Sequence, residues 1–282
     1  MKIGIVGMGL IGASLGRAIV KYTDFEVLGA DTNPEVLKRA DDLFAHTRAL
    51  EDEDYGKLDV VIFALFPTAA IAEMDRICPR LKEGAIIADT CGNKRVIEKE
   101  MLALKEKYPH LRFVGTHPMA GREYAGIENS SAELFRDAWA ILVPTGDDEA
   151  VNVIKELYIN IGVKGVEVCS AQRHDEMIAY TSQLAHVVSS CYVQNPLSKS
   201  HAGFSAGSFA DLTRVARLNP DMWTELFLQN RDNLAQCVDN MIERLTQFAN
   251  ALSDADGDRL KIILSYGTSC KERADSAQRE RQ

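Results

Sequence analysis

No two cysteines form a C-x-x-C pair: the six (Cys78, Cys91, Cys169, Cys191, Cys237 and Cys270) are scattered, with no clustering of His and Cys to suggest zinc. No metal site is expected, and the thiols read as reduced residues in or near the core. Basic charge is also scarce, with 32 Lys and Arg against 41 Asp and Glu and a net charge of −9. That sign is wrong for a chain whose main task is to grip nucleic acid or anionic lipid, so an anionic ligand would need a local basic pocket. Long apolar runs are missing too. The longest, 60–72, is interrupted by Pro67 and falls short of the ~20 residues of a membrane-spanning helix. No charged leader with an apolar region and cleavage site opens the chain. The expectation is a soluble, cytoplasmic protein with no nucleic-acid or membrane partner.

What is present is ordinary globular composition, 46% hydrophobic and 26% charged over 282 residues, a length that favours about two domains. As far as residue 167, short β-rich runs at 2–6, 26–30, 59–64, 85–88, 112–116, 140–143 and 164–168 alternate with helical patterns. That order predicts βαβ units and a parallel sheet. Most runs are continuous in Val, Ile and Ala, as in strands covered by helices on both faces. Beyond 167 the texture is helical. The stretch 171–193 is apolar on most sides, which predicts burial in a helical domain or an interface. Asn219-Pro220-Asp221 supplies an N-cap, a proline at the first helical position and an acid in the first turn. From Trp223 to Leu252 apolar residues recur at helical spacing for roughly 30 residues, predicting one long helix. Another helix is expected from 259 to about 274. The fold class is therefore α/β: an N-terminal Rossmann-type doubly wound sheet (1–167) and a C-terminal all-helical domain (168–282), through which the chain is expected to form a homodimer.

Gly7-Met8-Gly9-Leu10-Ile11-Gly12 follows the first predicted strand and opens a helix. In such a loop the first glycine makes the turn, the second admits a pyrophosphate and the third lets helix and strand pack closely, while the helix N-terminus faces the phosphates. Asp31 stands about 20 residues further on, at the end of the second strand, where a carboxylate meets ribose hydroxyls and repels a 2′-phosphate. Thr32-Asn33-Pro34 brings no compensating arginine. NAD is the expected cofactor, bound by Gly7, Met8, Gly9, Leu10, Ile11, Gly12 and Asp31.

A nicotinamide enzyme acting on an alcohol needs a base for the hydroxyl proton, and histidine suits. Of six histidines, His117 is set in Gly115-Thr116-His117-Pro118-Met119-Ala120-Gly121, just past the carboxyl end of a predicted strand, where open α/β sheets place ligands. His46 and His110 sit in polar contexts, and His201 in a Ser/Gly-rich loop. His174, beside Asp175, serves equally as a helix cap or as a site residue. His186 lies on an apolar helix, where a core role and a functional one are equally open.

These blocks, with Asp89-Thr90-Cys91-Gly92-Asn93-Lys94, Ser182-Gln183-Leu184-Ala185-His186-Val187 and Asp211-Leu212-Thr213-Arg214-Val215-Ala216, resemble the prephenate/arogenate dehydrogenase family of tyrosine biosynthesis over essentially the whole chain. The resemblance implies oxidative decarboxylation of a cyclohexadienol, prephenate or arogenate. Hydride would pass to the nicotinamide, and His117 would take the hydroxyl proton. Arg214 would clamp a substrate carboxylate, supplying positive charge that the chain as a whole lacks, and His186 would line the site. Two positions depart from the family pattern. Gly92 replaces the usual serine, whose work then falls to water, to Thr116 or to the backbone around Gly92. Gln183 replaces the first histidine of the helix motif, which leaves the choice between prephenate and arogenate open. Asp137 and Glu123 are the acids that would favour the ammonium of arogenate.

Two rival readings remain. A β-hydroxyacid-type dehydrogenase would carry a lysine in an N-x-x-K helix motif, but Asn195 and Lys199 have the wrong spacing. A non-catalytic NAD sensor would need no His and Arg converging on the nicotinamide. After 271–275 no βαββαβ pattern follows, so no appended regulatory domain is expected.

Overall fold

The computed structural model describes residues 1–43, 48–122 and 124–280; His46 and Glu123 lie outside them. In chain order come β1 (Lys2–Val6), α1 (Leu10–Tyr22), β2 (Glu26–Ala30), α2 (Pro34–Leu43), β3 (Arg48–Ala49), β4 (Val60–Phe63), α3 (Pro67–Ile77), β5 (Ile86–Asp89), α4 (Arg95–Lys107), β6 (Arg112–Pro118), β7 (Trp139–Pro144), α5 (Asp148–Asn160) and β8 (Gly165–Val168). Helices follow: α6 (Ala171–Ile178), a π-helical turn (Ala179–Gln183), α7 (Leu184–Val193), α8 (Gly207–Thr213), α9 (Pro220–Gln229), α10 (Arg231–Ser253) and α11 (Gly257–Arg279).

Among the described residues the strands form one eight-stranded sheet ordered β3-β2-β1-β4-β5-β6-β7-β8. Strand order reverses between β1 and β4, the crevice at which doubly wound sheets bind ligands. Alternate residues feed separate cores: Val60 and Ile62 join Ile3, Ile5 and Ile86, whereas Val61 and Phe63 join Leu28, Ile87 and Phe113. Two buried faces explain the unbroken apolar runs.

Two sheet details correct the sequence expectation. The sheet is not wholly parallel, because β7 runs antiparallel to β6, with Thr116 opposite Leu142 and His117 opposite Ile141. Among its described residues the connection between them has only a 3-10 turn, Ile127–Asn129, and a parallel return needs a full crossover. The edge strand β3 was not expected; two residues are too few to display a period.

The helical region also differs. Asn219 caps α9 as expected, accepting from the N–H groups of Asp221 (3.0 Å) and Met222 (3.2 Å). The long helix, however, breaks at Asn230. The Asn230 side chain is buried and donates to the Asp175 carbonyl at 2.9 Å and to Gln183 Oε1 at 2.8 Å, which holds the end of α9 against α6. The stretch 171–193 is less enclosed than its composition implies: Met177, Tyr180 and Tyr192 are exposed. Cys78 and Cys91 are buried, whereas Cys191 is exposed. The last helix, capped by Asp256, runs past both ends of the expected 259–274.

By compactness the chain divides into two units, Met1–Arg231 and Asp232–Gln282. Hydrogen bonds tie α6 and α9 to the sheet's carboxyl edge: Asp175 Oδ1 accepts from Lys94 N at 2.7 Å, and Asn93 Nδ2 donates to the Leu226 carbonyl at 2.8 Å. In the second unit, Ile242, Leu245, Leu252, Ile262 and Leu264 are exposed. No helix among the described residues is long and apolar enough to cross a membrane.

Candidate active site

The glycine loop leaves the carboxyl end of β1. Gly7 has φ +94°, and a Cβ there would lie 2.5 Å from the Ala64 carbonyl oxygen, so only glycine fits. A Cβ on Gly12 would meet the Gly7 oxygen at 1.8 Å, whereas one on Gly9 would meet nothing within 4 Å. The second glycine thus faces open space while the other two are packing devices. Gly9 is also the N-cap of α1 and gives no side-chain cap, which leaves the first-turn N–H groups for an anion. Met8 is fully buried, and Leu10 and Ile11 are half-buried. Asp31, just beyond β2, accepts from Met8 N and Asn33 N, each at 2.9 Å. A carboxylate has lone pairs to spare for ribose hydroxyls beyond these two bonds. Open backbone, an uncapped helix start and a fixed carboxylate fit a dinucleotide.

Two strands away, β5 ends in Asp89. Asp89 and Lys94 are both fully buried and paired, and Lys94 Nζ also donates to the Thr116 carbonyl at 2.6 Å. Asp89 Oδ1 accepts from Thr116 N at 2.9 Å. This ion pair fastens the β5 loop to β6 immediately before His117.

His117 lies in β6, half-buried. Its Nδ1 is 2.8 Å from His174 Nε2, and His174 Nδ1 is 2.7 Å from Asp175 Oδ1. Burial, aided by the charges of His174 and Lys94, pushes the His117 ring well below the ordinary 6.5, so it is neutral and able to take a proton near pH 7. Burial lowers His174 as well, against the opposing pull of Asp175. Burial draws the Asp175 carboxyl upward, but bonds from His174 and from the N–H groups of Lys94 and Arg95 outweigh it and hold the group below its usual range.

A second group surrounds His186. Its ring lies 4.0 Å from that of Trp223, centroid to centroid, and its Nδ1 donates to the Ser182 carbonyl at 2.8 Å. Arg214 caps the C-terminal end of α8 and is exposed. Burial first, and then the Arg214 charge, lower the His186 ring below its ordinary value, so guanidinium and imidazole share one field.

Other expected site residues are placed differently. Thr116 is fully buried; its hydroxyl donates to the Asp89 carbonyl and accepts from Tyr158 at 2.9 Å, which occupies it within the wall. Gln183 is buried, donating to Asn93 Oδ1 at 3.0 Å and accepting from Asn230 at 2.8 Å; it ties three elements together rather than presenting a polar group. Gly92 is half-buried beside Leu226. Asp137 is exposed, at φ 64° in the turn before β7. His201 stacks on Phe209 at 4.2 Å and bonds Ser205. His174 is not a cap, since Ser170 caps α6 by accepting from Arg173 N. Sequence reasoning passed over Lys94, Asp89 and Asp175 as acting groups. The visible signal for the first two was a pair of opposite charges bracketing the turn after an apolar strand, and for Asp175 its position next to a histidine.

A family model described as "Prephenate dehydrogenase, nucleotide-binding domain" matches residues 15–167, and one described as "Prephenate dehydrogenase, dimerization domain" matches residues 170–266. A cyclohexadienyl dehydrogenase of Zymomonas mobilis is 32% identical over 273 residues, spanning 92% of this chain and 90% of its own. A prephenate dehydrogenase of Lactococcus lactis is 27% identical, spanning 94% of this chain and 75% of its own. Among solved structures, the fold matches prephenate dehydrogenase from A. aeolicus in complex with hydroxyphenyl propionate and NAD+ (TM-score 0.83, 24% identity, 96% of this chain and 98% of that one). It also matches Synechocystis arogenate dehydrogenase (TM-score 0.80, 23% identity, 97% and 100%).

Proposed function

Because the chain belongs to the prephenate dehydrogenase family, we propose that it oxidatively decarboxylates prephenate to 4-hydroxyphenylpyruvate in tyrosine biosynthesis. It is an NAD-dependent oxidoreductase. Arogenate, giving tyrosine, is the alternative substrate, in keeping with relatives named for either compound or for cyclohexadienyl substrates.

The observation that carries the reading is His117: a histidine held neutral by burial, on the same carboxyl edge of the sheet as the glycine loop. NAD, held by the glycine loop and Asp31, would supply the acceptor for the substrate's carbinol hydride. His117 takes the hydroxyl proton as that hydride departs; the ring carboxylate then leaves as carbon dioxide, its bonding pair passing through the ring to the former hydroxyl oxygen as the ring aromatises, and His117 returns the proton to that oxygen to give the phenol. Arg214 holds a substrate carboxylate through paired charge-assisted bonds, and His186, packed against Trp223, lines the adjoining wall. Gly92 brings no hydroxyl of its own, so water or its backbone N–H serves the substrate hydroxyl.

In this reading 1–167 binds the dinucleotide, and 168–282 completes the substrate site and forms a homodimer. The match to a dimerization domain supports the second role, as do the exposed Ile242, Leu245, Leu252 and Ile262. A cytoplasmic location accords with the chemistry.

The test is NADH formation from prephenate and arogenate, each with NAD and with NADP. His117→Ala should keep NAD binding and lose turnover by about 100-fold or more. A wild-type protein that binds NAD and oxidises neither compound overturns the reading.

A further inference from the structure

The contacts of His117 continue inward. Asp175 is nearly fully buried and its carboxylate is pinned: Oδ1 accepts from Lys94 N at 2.7 Å, and Oδ2 accepts from Arg95 N at 3.1 Å and Arg95 Nε at 3.2 Å. His174, also nearly fully buried, therefore meets a fixed acceptor 2.7 Å from its Nδ1. A carboxylate accepts only, so the His174 proton resides on Nδ1. A neutral ring then carries a bare lone pair on Nε2, the atom facing His117 Nδ1 at 2.8 Å. Two lone pairs cannot share that contact. His117 must donate from Nδ1, and its own Nε2 is left without a proton.

We propose that His174 is a positioning residue: anchored by Asp175, it fixes His117 as the tautomer protonated on Nδ1, so that Nε2 is the basic atom offered to the substrate hydroxyl. This inference rests on the proposed dehydrogenase reading. An unrestrained histidine in water favours the opposite tautomer, in which Nε2 carries the proton and cannot act as a base. Fixing a base through a buried partner on its other nitrogen is the logic of the Ser-His-Asp triad, except that here a second imidazole stands between the carboxylate and the base. When His117 takes the substrate proton, its Nδ1–H keeps its acceptor, so the ring need not turn during the reaction.

The experiment begins on the whole wild-type protein without substrate. Nitrogen NMR of histidine-labelled protein, with the His117 signals assigned by their loss in His117→Asn, should show a protonated Nδ1 and a bare Nε2. A bare Nδ1 overturns the proposal. His174→Phe keeps ring volume but removes the acceptor; kcat should fall about tenfold or more while KM and NAD affinity stay within twofold. His174→Gln, whose amide oxygen can accept from His117, should recover most of that loss. A His174→Phe enzyme with wild-type kcat, or one that loses kcat while the His117 tautomer is unchanged, also overturns it. If His174→Phe does not fold, the wild-type spectrum still decides. Absence of turnover in the wild-type protein removes the dehydrogenase reading instead, and the spectrum judges the tautomer independently.

Discussion

Asp31 reaches back 23 positions to accept the Met8 N–H through Oδ2 at 2.9 Å, so the residue expected to meet the ribose also closes the glycine loop. The two tasks predict a double effect of substitution. Asp31→Ala should raise KM for NAD roughly 10- to 100-fold, the value of one or two bonds to a charged acceptor. It should also narrow the preference over NADP, since the repelling carboxylate is gone. Kinetics with both cofactors check this; a variant that keeps the wild-type NAD to NADP ratio contradicts it.

Burial chiefly, and to a lesser degree the Arg214 charge, lower the His186 ring below its ordinary value, and a guanidinium can hold a carboxylate with two parallel bonds. Arg214→Ala should raise KM for the substrate on the order of 100-fold, about 3 kcal/mol. Arg214→Lys should recover only part of that, because an ammonium lacks the planar fork. The loss should appear in KM far more than in kcat for NADH formation. An unchanged KM in the alanine variant would remove Arg214 from substrate binding.

The parts of this site that were legible in sequence are those set by local spacing. Gly7, Gly9 and Gly12 could be read because their spacing marks a strand-to-helix turn, and His117 because it stands near the carboxyl end of an apolar strand. The hydrogen bonds of Thr116 and Gln183 were not legible, since their partners Tyr158 and Asn93 lie 42 and 90 positions away. The break at Asn230 was hidden for the same reason: the helical period continues through it, and only the bond to the Asp175 carbonyl, 55 positions distant, shows why the chain turns. The antiparallel β7 left no trace in composition, because a buried strand has the same apolar sequence in either direction.

Acid should affect the enzyme in two ways through the same buried rings. His117 and His174 have folded values below 6.5, chiefly through burial. Between those values and 6.5 the unfolded chain binds protons that the native one refuses. Stability is therefore full above pH 6.5 and falls as pH drops through that window. The acid limb of kcat/KM should likewise lie below 6.5, since His117 stays a competent base there. Urea midpoints and pH–rate profiles between pH 7.5 and about 5 test both signs; a limb above 6.5 would contradict the buried neutral ring.

Gly92 offers no side-chain hydroxyl, and the neighbouring hydroxyl of Thr116 is already engaged by the Asp89 carbonyl and by Tyr158. A hydroxyl introduced at 92 would add a donor and acceptor to the loop between β5 and α4. Space permits it: a Cβ there would lie 3.4 Å and 3.6 Å from the two methyl carbons of Leu226, ordinary contact with a flexible side chain. Gly92→Ser should fold with a Tm close to wild type. It should raise kcat severalfold, within the roughly tenfold that one net hydrogen bond of about 1 kcal/mol permits. Stopped-flow NADH formation separates that step from product release, and a lower chemical rate in a well-folded variant would show that water or backbone already serves the substrate hydroxyl better.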